Sequence, residues 1–151
     1  MQTSEPTFLS PARILLAEDD RELRTLVALA LRDAGFEVVE AADGNTLLEC
    51  LAHAVRPDGS VENFDLILSD IRMPNFTALD VMLGARGFIG RTPFVLITAF
   101  GDPATHERAL GLGATAVLDK PIRLDKLCGT IAAILAEKGR PAGLGEAKET
   151  S

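Results

Sequence analysis

Acidic, hydroxyl and ammonium side chains recur in this chain at one kind of place, directly after a short apolar run. Ile14-Leu15-Leu16-Ala17 ends in Glu18-Asp19-Asp20, and Phe64-Asp65-Leu66-Ile67-Leu68-Ser69 ends in Asp70. Phe94-Val95-Leu96-Ile97 ends at Thr98, and Ala116-Val117-Leu118-Asp119 ends at Lys120-Pro121. Read as strands of a parallel α/β sheet, all four deliver their polar groups to the carboxyl edge. Ligands bind at that edge, where the strand order reverses. Each residue also has a local explanation. Asp20 suits a helix cap, and Glu18 and Asp19 with Glu22 suit a partial capping box. Thr98 suits a strand interior, and Lys120 a solvated loop. Only a shared site explains all of them together.

The elements that must position these groups alternate along the chain. The apolar and turn patterns predict strands at 12–17, 36–41, 64–69, 93–98 and 114–119. Helices are expected at 20–34, 45–55, 78–87, 103–112 and 122–138. The first helix carries Leu23, Leu26, Val27, Ala30 and Leu31 at i, i+3, i+4, i+7 and i+8, and Gly35 stands where a C-terminal cap belongs. The last helix has its stripe in Leu124, Leu127, Ile131, Ile134 and Leu135, while Gly84 and Gly87 weaken the third. Pro57-Asp58-Gly59 marks a turn within 56–63, on the edge away from the acids. Such alternation favours a doubly wound α/β sheet with helices on both faces. The expected organisation is a flexible segment at 1–11, one domain at 12–138 and a disordered tail or linker start at 139–151.

Composition narrows the function classes. The 151 residues are 47% hydrophobic, with seven Phe and no Trp or Tyr, so aliphatic side chains must build the core. A formal net charge of -7 with scattered basic residues argues against direct binding to nucleic acid backbone. No secretory signal or bilayer-length apolar run is visible, and a cytoplasmic, reducing setting is expected.

The motifs Ile14 to Asp20, Leu68 to Pro74, Ile97-Thr98-Ala99 and Asp119-Lys120-Pro121 together resemble the receiver domain of two-component response regulators. The resemblance covers about 12–138 and implies a flavodoxin-like five-stranded parallel sheet in the order 2-1-3-4-5. It implies that Asp70 accepts a phosphoryl group from a sensor histidine kinase or a phosphotransfer protein. Mg²⁺ (or Mn²⁺) would be held by Asp19, Asp70 and the Arg72 backbone carbonyl, with Glu18 acting through a water. Lys120 and Thr98 would hold phosphoryl oxygens, and Lys120-Pro121 would be cis. A downstream protein, or a second copy of the chain, would meet the face of the 103–112 helix, the 114–119 strand and the 122–138 helix. In that sheet order Cys50 and Cys128 lie on opposite faces, which excludes a disulfide.

Two positions depart from the family pattern. Val117 stands where an aromatic rotamer switch is common, so Phe100 is the expected substitute, with plain packing as its alternative. Ala78 replaces a frequent Gly, which would be strained at positive φ. Since no effector domain follows residue 151, the expected output is protein–protein contact, unless the sequence is the excised receiver of a longer regulator. The chain is expected to catalyse only its own phosphorylation and slow dephosphorylation, and so not to be an enzyme in the ordinary sense. Competing classes are a haloacid-dehalogenase-like phosphatase, disfavoured by Arg72 in place of a second acid, and a flavin module, disfavoured by the acids after the first strand. A degenerate, unphosphorylated receiver is the remaining alternative.

Overall fold

Apolar runs too short to be helices form the centre of the molecule. The computed structural model describes residues 10–52, 64–74, 76–80, 92–99 and 103–139. In chain order these give β1 (Arg13–Ala17), α1 (Arg21–Asp33), β2 (Glu37–Ala41), α2 (Gly44–Ala52), β3 (Leu66–Asp70), β4 (Arg72–Met73) and β5 (Phe76–Thr77). They continue as β6 (Phe94–Thr98), α3 (Pro103–Gly111), β7 (Ala116–Asp119) and α4 (Leu124–Glu137). Five strands form one parallel sheet in the order β2-β1-β3-β6-β7. This is the expected topology, since β6 and β7 are the fourth and fifth strands of the sheet. The register pairs Ala17 with Ser69, Asp70 with Ile97, and Thr98 with Asp119, which levels the carboxyl ends of four strands.

Alternation along each strand divides the core in two. Leu15, Ala17, Ile67, Phe94 and Leu96 point to one side with Leu47 and Leu51 of α2 and Ala109 of α3. Ile14, Leu16, Leu66, Leu68, Val95 and Ile97 point to the other, with Val27, Ala28 and Leu31 of α1 and Leu127, Ile131 and Leu135 of α4. β3 and β6 are buried at every position, which is why they read as unbroken apolar runs. Cys50 packs on the first cluster and Cys128 on the second, and both are free thiols, as the sheet order required.

Helix ends follow from capping chemistry. Asp20 caps α1, its Oδ1 accepting from the Leu23 N–H at 3.2 Å. At the other end Gly35 has φ of 100°, and its N–H reaches Arg32 O while the Phe36 N–H reaches Leu31 O. That pair of bonds is a Schellman motif, closed by the buried Leu31 and Phe36. Gly113, with φ of 114°, ends α3 the same way, with the Ala114 N–H on Ala109 O.

The structure corrects several details. Leu26 does not face the core: it is 53% exposed, while Ala28 takes the buried position. A leucine on the flank of the stripe extends it in sequence, but the buried face of α1 is made by Val27, Ala28 and Leu31. Asp70 is the last residue of β3 rather than the first beyond it. The helices at α1, α3 and α4 start or stop one or two residues inside the expected limits. A small antiparallel ribbon, β4 with β5, was not legible in Arg72-Met73-Pro74. The 56–63 turn, most of the expected 78–87 helix, Phe100 and the tail beyond 139 lie outside the described residues. Ala78 is buried, and its N–H donates to Ile71 O at 2.8 Å.

Candidate functional site

Charged side chains are rare inside proteins, and here two carboxylates are buried at one sheet edge. Glu18 is 1% exposed and Asp70 5%. Asp19 is exposed beside them, and one carboxylate oxygen from each of the three lies within 4.8 Å of the others. The parallel register of β1 with β3 brings them together, because both strands end at the same level. Thr98, at the end of β6, and Lys120, just past β7, line the same cavity of about 560 Å³ with Glu18, Asp19, Asp70 and Arg72.

Countercharge comes from Lys120. Its Nζ donates to Asp70 Oδ2 at 2.8 Å and stands 3.6 Å from Glu18 Oε1. The Lys120-Pro121 bond is cis, and the Lys120 N–H donates to Thr98 O at 2.8 Å. Asp70 Oδ1 accepts from the Arg72 N–H at 3.2 Å. Glu18 Oε2 accepts from the Asp20 N–H at 3.0 Å, whereas its buried Oε1 has no hydrogen-bond partner among the described residues.

Burial pushes the Glu18 carboxyl up to about 7; the Asp20 N–H opposes this, and the negative charge of Asp70 adds to it. For Lys120, burial pulls downward, but the hydrogen bond and charge of Asp70, joined by Glu18, leave its ammonium held above the ordinary value. Three converging carboxylates, one with an unsatisfied buried oxygen, fit a hard divalent cation that takes oxygen ligands. A buried acid at the end of a strand, flanked by an ammonium and a hydroxyl, is also a suitable covalent acceptor for an anionic group.

All the residues singled out in the sequence are gathered here: Glu18, Asp19, Asp70, Arg72, Thr98 and Lys120. Asp20 lines the cavity as well, but its side chain caps α1. Two supporting residues were not visible beforehand. Arg24 Nη1 donates to the Glu18 carbonyl at 2.8 Å while its Nε pairs with Glu40 Oε1 at 3.3 Å, fastening the end of β1. Thr105 of α3 also lines the cavity. Arg24 lies one helical turn after Asp20, a spacing that does not distinguish it from any solvated arginine.

Comparisons with known proteins agree with this geometry. Residues 14–132 match the family model of the response regulator receiver domain. The transcriptional regulatory protein CrdR of Helicobacter pylori is 37% identical over 116 residues, covering 76% of this chain and 51% of that protein. The transcriptional regulatory protein PdtaR of Mycobacterium tuberculosis is 33% identical over 158 residues, covering 98% of this chain and 72% of that protein. The chain thus spans about half the length of the first of these relatives. Among solved structures, the chemotaxis protein CheY4 of Vibrio cholerae is 31% identical with a TM-score of 0.71, covering 83% of this chain and 99% of that one. The phosphatase and flavin alternatives are not favoured. The position two residues after Asp70 holds the exposed Arg72, and the cavity where a flavin phosphate would sit is lined by acids.

Proposed function

We propose, from the premise that the chain belongs to the response regulator receiver family, that Asp70 is its phosphoacceptor and that the acidic edge of the sheet is a signalling switch. The single observation that carries this reading is the 2.8 Å bond from Lys120 Nζ to Asp70 Oδ2, made at the lip of a three-carboxylate cluster. It supports a site built to hold negative charge at Asp70 and to balance more of it. In the reaction, an Asp70 carboxylate oxygen forms a bond to phosphorus. The bond from phosphorus to the donor's imidazole nitrogen breaks, and the imidazole leaves with that electron pair and takes up a proton.

Lys120 keeps an ammonium beside the incoming phosphoryl oxygens, and the raised pKa keeps it charged across the physiological range. The Thr98 hydroxyl, at the rim of the cavity, donates a hydrogen bond to a further oxygen. Asp19 and Asp70 side chains with the Arg72 carbonyl would hold Mg²⁺ or Mn²⁺, and Glu18 would act through a water. Such an ion, when bound, offsets the charge that builds on the phosphoryl oxygens. Arg24 fixes the backbone that carries Glu18 and Asp19.

The donor is a sensor histidine kinase or a phosphotransfer protein, and the outcome is a changed protein-binding face on α3, β7 and α4. With no substrate turned over beyond its own acyl phosphate, the chain is a switch rather than an enzyme, working in the cytoplasm. Among the described residues no helix is long and apolar enough to cross a membrane, which is compatible with that setting.

Incubation with acetyl phosphate and Mg²⁺, followed by intact mass measurement, tests the reading. One phosphate adduct is expected on the wild type and none on Asp70→Asn. An adduct that survives Asp70→Asn, or no adduct with any donor, overturns it.

A further inference from the structure

One polar link joins helix α3 to the strand that carries the site lysine. His106 Nε2 of α3 lies 2.8 Å from Asp119 Oδ1, the last residue of β7. Asp119 directly precedes Lys120, whose ammonium is bonded to Asp70. The neighbour of His106, Thr105, lines the acidic cavity. Helix α3 therefore touches the site through Thr105 and grips the lysine strand through His106.

Val117 sets the need for such a link. It is half-buried and packs against the core cluster beneath α3, and it has no ring to swing between two positions. With α3 part of the proposed output face, movement at Asp70 would reach it through contacts other than a swinging ring at position 117. The His106–Asp119 bond is a side-chain hydrogen bond that ties α3 directly to the end of β7.

We infer that His106 and Asp119 form a clasp that holds α3 in its resting place and is loosened when Lys120 turns to a phosphoryl group on Asp70. This rests on Asp70 being the phosphoacceptor. In the resting chain Lys120 Nζ is committed to Asp70 Oδ2, with Glu18 Oε1 at 3.6 Å. Phosphorylation turns that carboxylate into an acyl phosphate and moves the negative charge outward. The ammonium follows the charge, and the adjoining Asp119 carboxylate loses its alignment with the imidazole N–H. His106 and Asp119 are positioning residues. Their side chains are 28% and 44% exposed, so breaking the pair leaves the core intact and biases a two-state equilibrium by a modest amount.

Linkage makes the clasp measurable without any kinase. Whatever phosphorylation costs in loosening the clasp, its removal must return as tighter binding of a phosphoryl mimic. Beryllium trifluoride with Mg²⁺ is titrated into wild type, His106→Ala, His106→Gln and Asp119→Ala, with binding followed by amide NMR. His106→Ala and Asp119→Ala are expected to bind about two- to five-fold tighter, the range an exposed side-chain pair supports. Their mimic-free amide shifts in α3 and β7 should move along the line toward the wild-type bound positions. His106→Gln, which keeps a donor, should stay closer to wild type. Equal affinities in all four proteins, with unmoved free-state shifts, overturn the clasp while leaving Asp70 as acceptor. Failure of wild type to bind the mimic at all overturns the acceptor reading, and the clasp with it.

Discussion

Removing the ammonium from the acidic edge tests how the resting site is held together. Lys120→Met keeps most of the side-chain volume but leaves Glu18 and Asp70, 1% and 5% exposed, without their shared countercharge. At 2.8 Å and an effective dielectric of about 20, the Lys120–Asp70 attraction is about 6 kcal/mol before desolvation. The lysine side chain is 27% exposed, and burying both charges has its own cost, so the net coupling expected is about 2 kcal/mol. A double-mutant cycle with Asp70→Asn isolates that quantity. Urea unfolding in EDTA at pH 7.5, followed by far-ultraviolet circular dichroism because the chain has no Trp or Tyr, supplies the four stabilities. Lys120→Met alone is expected to lose more stability than Lys120→Met does in the Asp70→Asn background. Costs that add within about 0.5 kcal/mol would refute the reasoning, since residues that do not interact behave that way.

The buried Glu18 makes the metal-free chain sensitive to pH. Its folded pKa is near 7 against an ordinary value of 4.5, so between these values the folded state binds more protons than the unfolded one. Its contribution is therefore complete below pH 4.5 and is lost as pH rises through 7. In EDTA, the fall in Tm between pH 5.5 and pH 8 should be smaller in Glu18→Gln than in wild type; equal slopes would contradict this. Asp20→Ala, which removes the α1 cap, should cost about 1 kcal/mol in urea unfolding and leave the acetyl phosphate adduct in place. Leu68→Ala, at a fully buried position in the central strand β3, should cost about 2 to 5 kcal/mol by the same assay.

The strands were legible because β3 and β6, buried on both faces, are apolar along most of their length, and their polar residues stand together at the carboxyl ends. The site was legible for a related reason. Parallel strands ending at one level bring Glu18, Asp70 and Thr98 together once the sheet order is known, and Lys120 follows from β7. The exposure of Leu26 was not legible, because α1 packs through Val27, Ala28 and Leu31, and a helical wheel cannot tell a stripe's centre from its edge. The β4–β5 ribbon was hidden because two-residue strands carry no periodicity. Arg24 and His106 were missed for a third reason: their partners, Glu40 and Asp119, are 16 and 13 residues away, and only tertiary packing chooses them.

Chemical trapping tests the role of Asp70 most directly. Borohydride reduces an aspartyl phosphate to homoserine and spares free carboxylates, so the modified position is read by peptide mass spectrometry. After treatment with acetyl phosphate and Mg²⁺, homoserine is predicted at position 70 and at no other acid. Homoserine at Asp19 or Asp20, 5-hydroxynorvaline at Glu18, or an unmodified chain after a donor treatment that phosphorylates a control receiver, would contradict the account.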